Sequence, residues 1–270
     1  MASTEKVYLP RDYFAFDFKS GGKFAEFVVE LDNKPGAIQR VAGTLSNHHV
    51  NILSGIHHFP PLAPSGSWSF FIDLNSSDIP LEALVKELEK TALKVRSTGS
   101  DEFLVDTMHF PLLVANERAI VIGAAVLSSL LGQIRLLFGE SPTTDVILHQ
   151  MGLASGRTWF EHIKHKIELD VLTRDVGKVL TIFSALGWGI FKLDHIDFKQ
   201  NSAQISMKEG FECKYATKRT TPQSHFIRGV VEGILESLFQ NKMNVTETTC
   251  ISTGDPACTF IAKRRETIQS

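Results

Sequence analysis

Residues 23–38, KFAEFVVELDNKPGAI, set the architecture of the first half of the chain. The first nine of these residues are rich in β-branched and aromatic side chains, which predicts a strand. The next five, DNKPG, are typical turn formers. From Ala37 onward apolar residues recur at helical spacing as far as Leu45. The stretch therefore predicts a strand, a tight turn and a helix.

The pattern continues along the chain to about residue 100. Residues 50–59 and 67–74 predict two further strands, residues 79–92 an amphipathic helix and residues 93–97 a short closing strand. The predicted order is β-α-β-β-α-β. This is the ferredoxin-like split unit.

The turn at the start of this unit carries a family resemblance. A strand ending in Leu31-Asp32, then the run KPGAI at residues 34–38, then the run VNI at residues 50–52, resembles the ACT domain. The resemblance covers about residues 22–100, and we assign residues 1–102 to this domain. It implies a regulatory module that binds amino acids or similar small ligands, usually where paired domains meet, and hence a homodimer.

The resemblance also implies which residues contact the ligand. They are those of the strand-to-helix turn: Asp32, Asn33, Pro35, Gly36, Ala37 and Ile38. A glycine after a strand lets the backbone approach a ligand, and the following helix offers free N–H groups to a carboxylate. The alternative is that Pro35-Gly36 only makes a tight connection, since many ACT domains bind nothing and only dimerise.

The second half predicts a different mixture of elements after a linker at residues 101–116. Three helices, two strands, a helix and a hairpin are expected at residues 117–138, 143–166, 170–187, 189–198, 202–209, 222–239 and 244–263. Gly152, Ser155 and Gly156 predict close packing of the second of these helices against a neighbour.

Two passages in this half carry a second family resemblance. They are FIRGVVEG at residues 226–233 and VTETTCISTGDPACTF at residues 245–260. Together they resemble the 4-vinyl-reductase-type domain, which is named for a protein of bacteriochlorophyll synthesis and also forms the sensory half of phenol-responsive regulators. The resemblance covers about residues 105–264, and we assign residues 103–270 to a mixed α/β domain of this type. The whole chain is then an α+β protein.

The hairpin of zinc-containing members supplies metal ligands, and the resemblance implies Glu247, Cys250 and Cys258 here. Two thiolates and a carboxylate can occupy three corners of a tetrahedral Zn²⁺ site. The fourth ligand of the family falls at Ser224, so His225 is the expected replacement, while Cys213 is expected to lie too far upstream. The alternatives for the two cysteines of the hairpin are a buried thiol pair or a cross-hairpin disulfide.

An apolar ligand pocket is a further expectation for the second domain. The resemblance to phenol-responsive sensors and the local supply of aromatic residues place it at Trp159, Phe183 and Trp188. The alternative is that these aromatic residues belong to the hydrophobic core.

Composition limits the classes of function. The formal net charge of −2, with Lys and Arg spread along the chain, argues against direct binding of nucleic acid, which needs clustered cations. The most apolar stretch, residues 119–134, is shorter than the about twenty residues of a membrane span. Three cysteines make no disulfide framework, and the chain begins without the pattern of a signal peptide. We therefore expect a cytoplasmic protein.

The sequence favours a sensor over an enzyme. It contains neither a nucleophile elbow nor a dinucleotide or phosphate-binding glycine motif. We expect a non-catalytic homodimer that binds a small molecule and signals to a separate effector protein. The alternative is an enzyme or accessory factor of tetrapyrrole metabolism, on the precedent of the protein that gives the second family its name.

Overall fold

The computed structural model describes residues 10, 17–114, 117–164, 176–214 and 220–266. The chain divides into two compact units, Met1–Ile120 and Val121–Ser270. Both combine helices with an antiparallel sheet, so the α+β class predicted from the sequence is confirmed.

The first unit contains four main strands and two helices. In chain order they are β1 (Asp17–Asp32), α1 (Ala37–Asn47), β2 (Asn51–His58), β3 (Ser65–Asp73), α2 (Leu81–Leu88) and β4 (Lys94–Leu104). The strands lie in the order β2-β3-β1-β4, and each neighbouring pair is antiparallel. The outer strands are therefore β2 and β4. A small antiparallel ladder of β5 (Leu113–Val114) and β6 (Glu117–Arg118) follows β4 in the chain.

The core of the first unit forms between one face of the four-stranded sheet and the two helices. Successive side chains of a strand point to opposite faces. On β1, Phe27, Val29 and Leu31 are fully buried in one cluster with Val41 of α1 and Leu84 of α2. Burying a side chain of this kind contributes roughly 1.5–3 kcal/mol, so this face holds the helices on the sheet.

The second unit places helices beside a second antiparallel sheet. Its helices are α3 (Ala124–Phe138), α4 (Pro142–Lys164), α5 (Val176–Ala185), α6 (Phe211–Lys214) and α7 (His225–Phe239). Its strands are β7 (Ile190–Asp197), β8 (Ser202–Lys208), β9 (Met243–Thr249) and β10 (Cys258–Arg264). They lie in the order β7-β8-β10-β9. A 3-10 turn, Ile251–Thr253, joins β9 to β10.

The predicted helix at residues 117–138 was wrong in its first turns. Its first two residues belong to β6, which pairs with β5, and the helix begins only at Ala124. The β-branched run at residues 120–122 and the extended Gly123 disfavour a helix before that point. The third predicted helix falls at residues 176–185, and its expected start at residues 170–175 lies outside the described residues.

Helices α4 and α7 approach each other at their glycines. A Cβ atom at Gly152 would lie 1.9 Å from the carbonyl oxygen of Phe226, and one at Gly229 would lie 2.1 Å from that of His149. Neither position has room for a side chain. The close packing predicted from the glycines of residues 152–156 is therefore confirmed.

None of the helices in the described parts of the chain combines the length and the apolar character that crossing a membrane requires.

Candidate functional site

The second unit brings three thiols and a carboxylate together in its interior. Their donor atoms, from Cys213 on α6, Glu247 on β9, Cys250 after β9 and Cys258 at the start of β10, all lie within 4.8 Å of one another. The Sγ of Cys250 lies 3.4 Å from the Sγ of Cys213 and 3.8 Å from the Sγ of Cys258. All three cysteines are buried free thiols, so the hairpin contains no disulfide. We call this group the thiol cluster.

The hairpin needs an irregularity to bring Glu247 and Cys250 to the same place. The pairing of β9 with β10 passes from Thr249–Thr259 to Glu247–Phe260, so β9 has one extra residue, Thr248. A bulge of this kind bends the strand and redirects its side chains. It explains how Glu247 and Cys250, three residues apart, both reach the thiol cluster.

The turn of the hairpin is fixed by hydrogen bonds around the cysteines. Gly254 adopts a left-handed conformation, φ 100°, which a side chain would strain. The Asp255 carboxylate accepts hydrogen bonds from the Cys250 backbone N–H and from the Thr253 hydroxyl, at 2.9 and 2.8 Å. The Ile251 N–H donates to the Sγ of Cys258 at 3.4 Å. The Gly-Asp-Pro turn therefore positions both thiols of the hairpin.

Ser224 lies among the donor atoms, where the family resemblance placed a fourth cysteine. It is fully buried, and its Oγ lies 2.9 Å from the Sγ of Cys213 and 3.4 Å from that of Cys258. Its hydroxyl and its backbone N–H both donate to the Glu247 carboxylate, at 2.7 and 2.9 Å. Ser224 thus holds the carboxylate beside the thiols.

Cys213 is the residue of this cluster that sequence reasoning missed, and the expectation that it lies too far upstream was wrong. The neighbouring carboxylate of Glu212 accepts hydrogen bonds from the Phe226 and Ile227 N–H groups, at 3.1 and 2.9 Å, and from Arg135 at 2.9 Å. These bonds pin the short helix α6 to the start of α7, which brings Cys213 to the cluster. The available signal was that this was the one cysteine of three left without a role.

His225, expected as the fourth ligand, is not brought into the cluster. Its Nε2 lies 3.0 Å from Asp145 Oδ1, and burial lowers the pKa of this histidine to about 4. Adjacent residues of a helix point about 100° apart. Because Ser224 faces the thiols at the start of α7, His225 faces elsewhere, and Cys213 supplies the donor that the sequence left open.

The electrostatics of the cluster disfavour four ionised groups without a cation. Burial, in the first place, raises the pKa of Glu247 to about 8, and the charge of Cys250 adds to this effect. Hydrogen bonds from Cys213 and Cys258 lower the pKa of Cys250, while its own thiolate raises the pKa of Cys213. Full deprotonation of this donor set therefore requires a nearby positive charge.

The donor set fits Zn²⁺. Three thiolates and one carboxylate are borderline-soft ligands in the number that a tetrahedral site takes. The sulfur separations of 3.4 and 3.8 Å agree with those expected around a centre with bonds of about 2.3 Å. Glu247, Cys250 and Cys258 from the sequence prediction, together with Cys213, are the residues that would hold the ion.

The turn after β1 borders an open cleft on the first unit. The cleft has a volume of about 810 Å³, and Asn33, Pro35, Gly36, Ala37 and Ile38 line it as predicted, whereas Asp32 does not. Sequence reasoning missed the other residues that line it, which are Lys34, Gln39, His57, His58 and Phe59.

The backbone at this turn matches the conformation that its glycine allows. Gly36 has φ 84° and precedes the first residue of α1, where no side chain caps the helix and no acidic residue stands in the first turn. The Asn33 side chain donates to the carbonyl of Ala63 at 2.9 Å, so it holds the neighbouring loop. The start of α1 therefore faces the cleft without a built-in acceptor for its N–H groups.

Trp159, Phe183 and Trp188 come together, but as mutually packed rings. The ring centroids of Trp159 and Phe183 are 4.1 Å apart, and those of Phe183 and Trp188 are 5.4 Å apart. Phe183 is fully buried, and both tryptophans pack against the same core. An apolar ligand at this place would have to separate these contacts, and the core alternative describes the geometry better.

The family of the second unit follows from its sequence. Residues 203–264 match the 4-vinyl-reductase domain. This segment contains all four donors of the thiol cluster. The resemblance of the hairpin to the vinyl-reductase type is thus confirmed over these residues.

One curated relative and several solved structures resemble parts of the chain. An uncharacterized protein of Methanocaldococcus jannaschii is 34% identical over 68 residues, which span 24% of this chain and 29% of that protein. The phenol-responsive sensory domain of the transcription activator PoxR, solved with phenol, has 16% identity and a TM-score of 0.47, over 56% of this chain and 79% of that one. A vinyl-4-reductase family protein from Methanocaldococcus jannaschii has 20% identity and a TM-score of 0.36, over 56% and 86%.

Proposed function

We propose that the protein is a non-catalytic small-molecule sensor. In this proposal an ACT-type first unit binds an amino acid or a similar carboxylate at the turn after β1, and the vinyl-reductase-type second unit is stabilised by Zn²⁺ at the thiol cluster. The order of elements in the first unit, β-α-β-β-α-β, and its strand order β2-β3-β1-β4 support the ACT assignment.

The single observation that carries the ligand-binding role is the cleft at the start of α1. A helix N-terminus without a capping side chain favours an anion, because its free N–H groups and the helix dipole both attract negative charge. Lys34 supplies a positive charge at the rim, and His57 and His58 supply further donors. A ligand carboxylate at this place would meet all three kinds of group.

The thiol cluster supports a structural role for the ion in the second unit. The four donors come from α6, from the bulged end of β9, from the turn and from β10, and Ser224 at the start of α7 contacts three of them. A bound Zn²⁺ supplies the charge that lets all four donors ionise. Cys213, Glu247, Cys250 and Cys258 would thereby fix α6 and the hairpin to one point.

Signalling in this proposal passes through a homodimer to a separate effector protein. The outer strands β2 and β4 of the first unit offer unpaired backbone groups that a second copy can pair with. A ligand changes such a signal only if it binds two states of the dimer with different affinity. A dimer mass by light scattering is expected, and a monomer mass across a micromolar range would contradict this part.

Calorimetric titration with each of the standard amino acids tests the cleft. We expect one or a few of them to bind, and we expect Gly36→Val to abolish the binding. Because Gly36 has φ 84°, valine strains the backbone there by roughly 1–2 kcal/mol, so loss of binding needs a control for strain.

Gly21→Val is the matched control. Gly21 also has a positive φ, 70°, and a Cβ there would meet no atom within 4 Å, but it does not line the cleft. It should be destabilised like Gly36→Val and still bind the amino acid. Equal binding by the two variants, or equal loss in both, would show that the ligand does not bind at the turn.

A further inference from the structure

A buried carboxylate lies on the face of the first sheet that points away from the helices. Phe27 and Val29 of β1 face the helices, so Glu26 between Ala25 and Phe27 points to the opposite face. Glu26 is nevertheless only 3% exposed. The segment after β4 covers it, and the backbone N–H of Thr107 in that segment donates to Glu26 Oε2 at 2.9 Å.

Two further donor groups of the same segment converge on Glu26. Nδ1 of His109 lies 3.3 Å from Glu26 Oε1 and 3.0 Å from each carboxylate oxygen of Asp106. One ligand atom from each of the three residues lies within 4.8 Å of the other two. Two carboxylates and an imidazole nitrogen therefore surround one point.

The hydrogen bonding of Glu26 is incomplete at this point. Its Oε2 accepts the bond from Thr107, but its Oε1 is buried and receives no hydrogen bond from any described residue. Buried polar atoms are almost always paired in folded proteins, so each exception needs an explanation. This orphaned oxygen is directed at the same point as the Asp106 carboxylate and His109 Nδ1.

The surroundings hold His109 and Asp106 in a ligating arrangement. Ser69 Oγ lies 2.9 Å from His109 Nε2, so the ring can donate its Nε2–H to Ser69 and direct the Nδ1 lone pair at the two carboxylates. A metal-binding histidine is usually fixed in this way by a partner on its other nitrogen. The N–H groups of Met108 and His109 donate to Asp106 Oδ1, at 3.1 and 3.0 Å, which orients that carboxylate.

We propose that Glu26, Asp106 and His109 form a binding site for a divalent cation of the first transition row. Carboxylates suit Mn²⁺ and imidazole extends the range to the neighbouring metals, whereas the soft ions that thiolates select are disfavoured. The side chains of His109 and Asp106 remain 41% and 24% exposed, so water or a ligand reaches the remaining coordination positions. A site with three protein ligands and open positions follows.

The competing description is a proton in place of the cation. Burial raises the pKa of Glu26, and a proton shared between Glu26 and Asp106, or a protonated His109, would also relieve the repulsion of the lone pairs. The two descriptions differ in one measurable respect: only the cation site binds a metal with a defined stoichiometry.

Mn²⁺ titration of the full chain, followed by the EPR signal of the free ion, separates them. We expect saturable binding of one Mn²⁺ for each chain. The isosteric variant Glu26→Gln and the variant His109→Ala should each weaken it by roughly tenfold or more, and Ser69→Ala by roughly tenfold through the lost orientation of His109. Circular dichroism of each variant should match the wild type, because none of these changes removes a core side chain.

The matched control is His48→Ala. His48 Nδ1 also lies 2.9 Å from a carboxylate, that of Asp78, but no buried acidic residue joins this exposed pair. This variant should bind Mn²⁺ like the wild type. No saturable binding by the wild type at millimolar Mn²⁺ would overturn the proposal in favour of the proton. Unchanged binding by Glu26→Gln and His109→Ala would overturn it by showing that the ion binds elsewhere, for example at the thiol cluster.

Discussion

The thiol cluster of the second unit and the carboxylate–imidazole group of the first differ in burial and in chemistry. The three cysteines of the thiol cluster are 0–2% exposed and come from three separate elements. In the other group only Glu26 is buried, while His109 and Asp106 belong to one exposed segment. The first arrangement ties a fold together, and the second offers a site at the surface.

This difference shows how ligand placement separates structural from accessible sites. A closed set of four protein donors leaves no coordination position for a ligand, whereas three donors leave at least one. Removal of a donor should therefore have a large effect on stability in the second unit and a small one in the first. The following predictions test that contrast, beginning with the largest expected effect.

Cys258→Ser should destabilise the second unit most. The change removes a thiolate from a fully buried donor set, and we expect a loss of roughly 3 kcal/mol, or a fall in Tm of about 10 °C. Thermal unfolding followed by circular dichroism measures it. A strong chelator should lower the Tm of the wild type by a similar amount and leave the variant nearly unchanged. Equal sensitivity of both proteins to the chelator would contradict a structural metal.

Gly152→Ala should have the next largest effect and measures how much of the second unit depends on packing alone. Its Cβ would lie 1.9 Å from the carbonyl oxygen of Phe226, so α4 and α7 must separate, at a cost of about 1–3 kcal/mol. Gly132→Ala is the control, because a methyl group added to that helical glycine of α3 would meet no atom within 4 Å, and alanine should stabilise the helix by about 0.5–1 kcal/mol. Urea unfolding that ranks the two variants in the reverse order would contradict the close helix contact.

Glu26→Gln should have the smallest effect on stability. In metal-free protein we expect the free energy of unfolding to change by less than about 1 kcal/mol, because glutamine retains the acceptor for Thr107 N–H and removes a buried charge. Urea unfolding in the presence of chelator measures it. A loss as large as that of Cys258→Ser would mean that Glu26 holds the first unit together, and the contrast between the two groups would then fail.

Local patterns in the sequence predicted most of the elements. The strand, turn and helix at residues 23–45 were expected within a few residues of their observed bounds, since alternation and helical spacing are local properties. Three of the four donors of the thiol cluster were predicted because they share one hairpin. The helix boundary at Ala124 was missed because a continuous apolar run does not distinguish a helix from an extended segment.

Contacts between distant residues could not be predicted in the same way. Cys213 reaches the thiol cluster only because Glu212 binds the start of α7, a bond between two segments that no spacing rule connects. Glu26 and His109 are separated by most of the first unit, and residues 101–116 resemble a linker in the sequence. Their convergence depends on how that segment crosses the sheet.

X-ray absorption at the zinc edge, on protein purified without chelators, tests the central claim most directly. The account predicts about one zinc for each chain, with about three sulfur neighbours at about 2.3 Å and one oxygen neighbour. Cys258→Ser should lose most of the zinc and of the sulfur signal. A protein that carries no zinc, or whose zinc has only nitrogen and oxygen neighbours, would contradict a metal at Cys213, Glu247, Cys250 and Cys258.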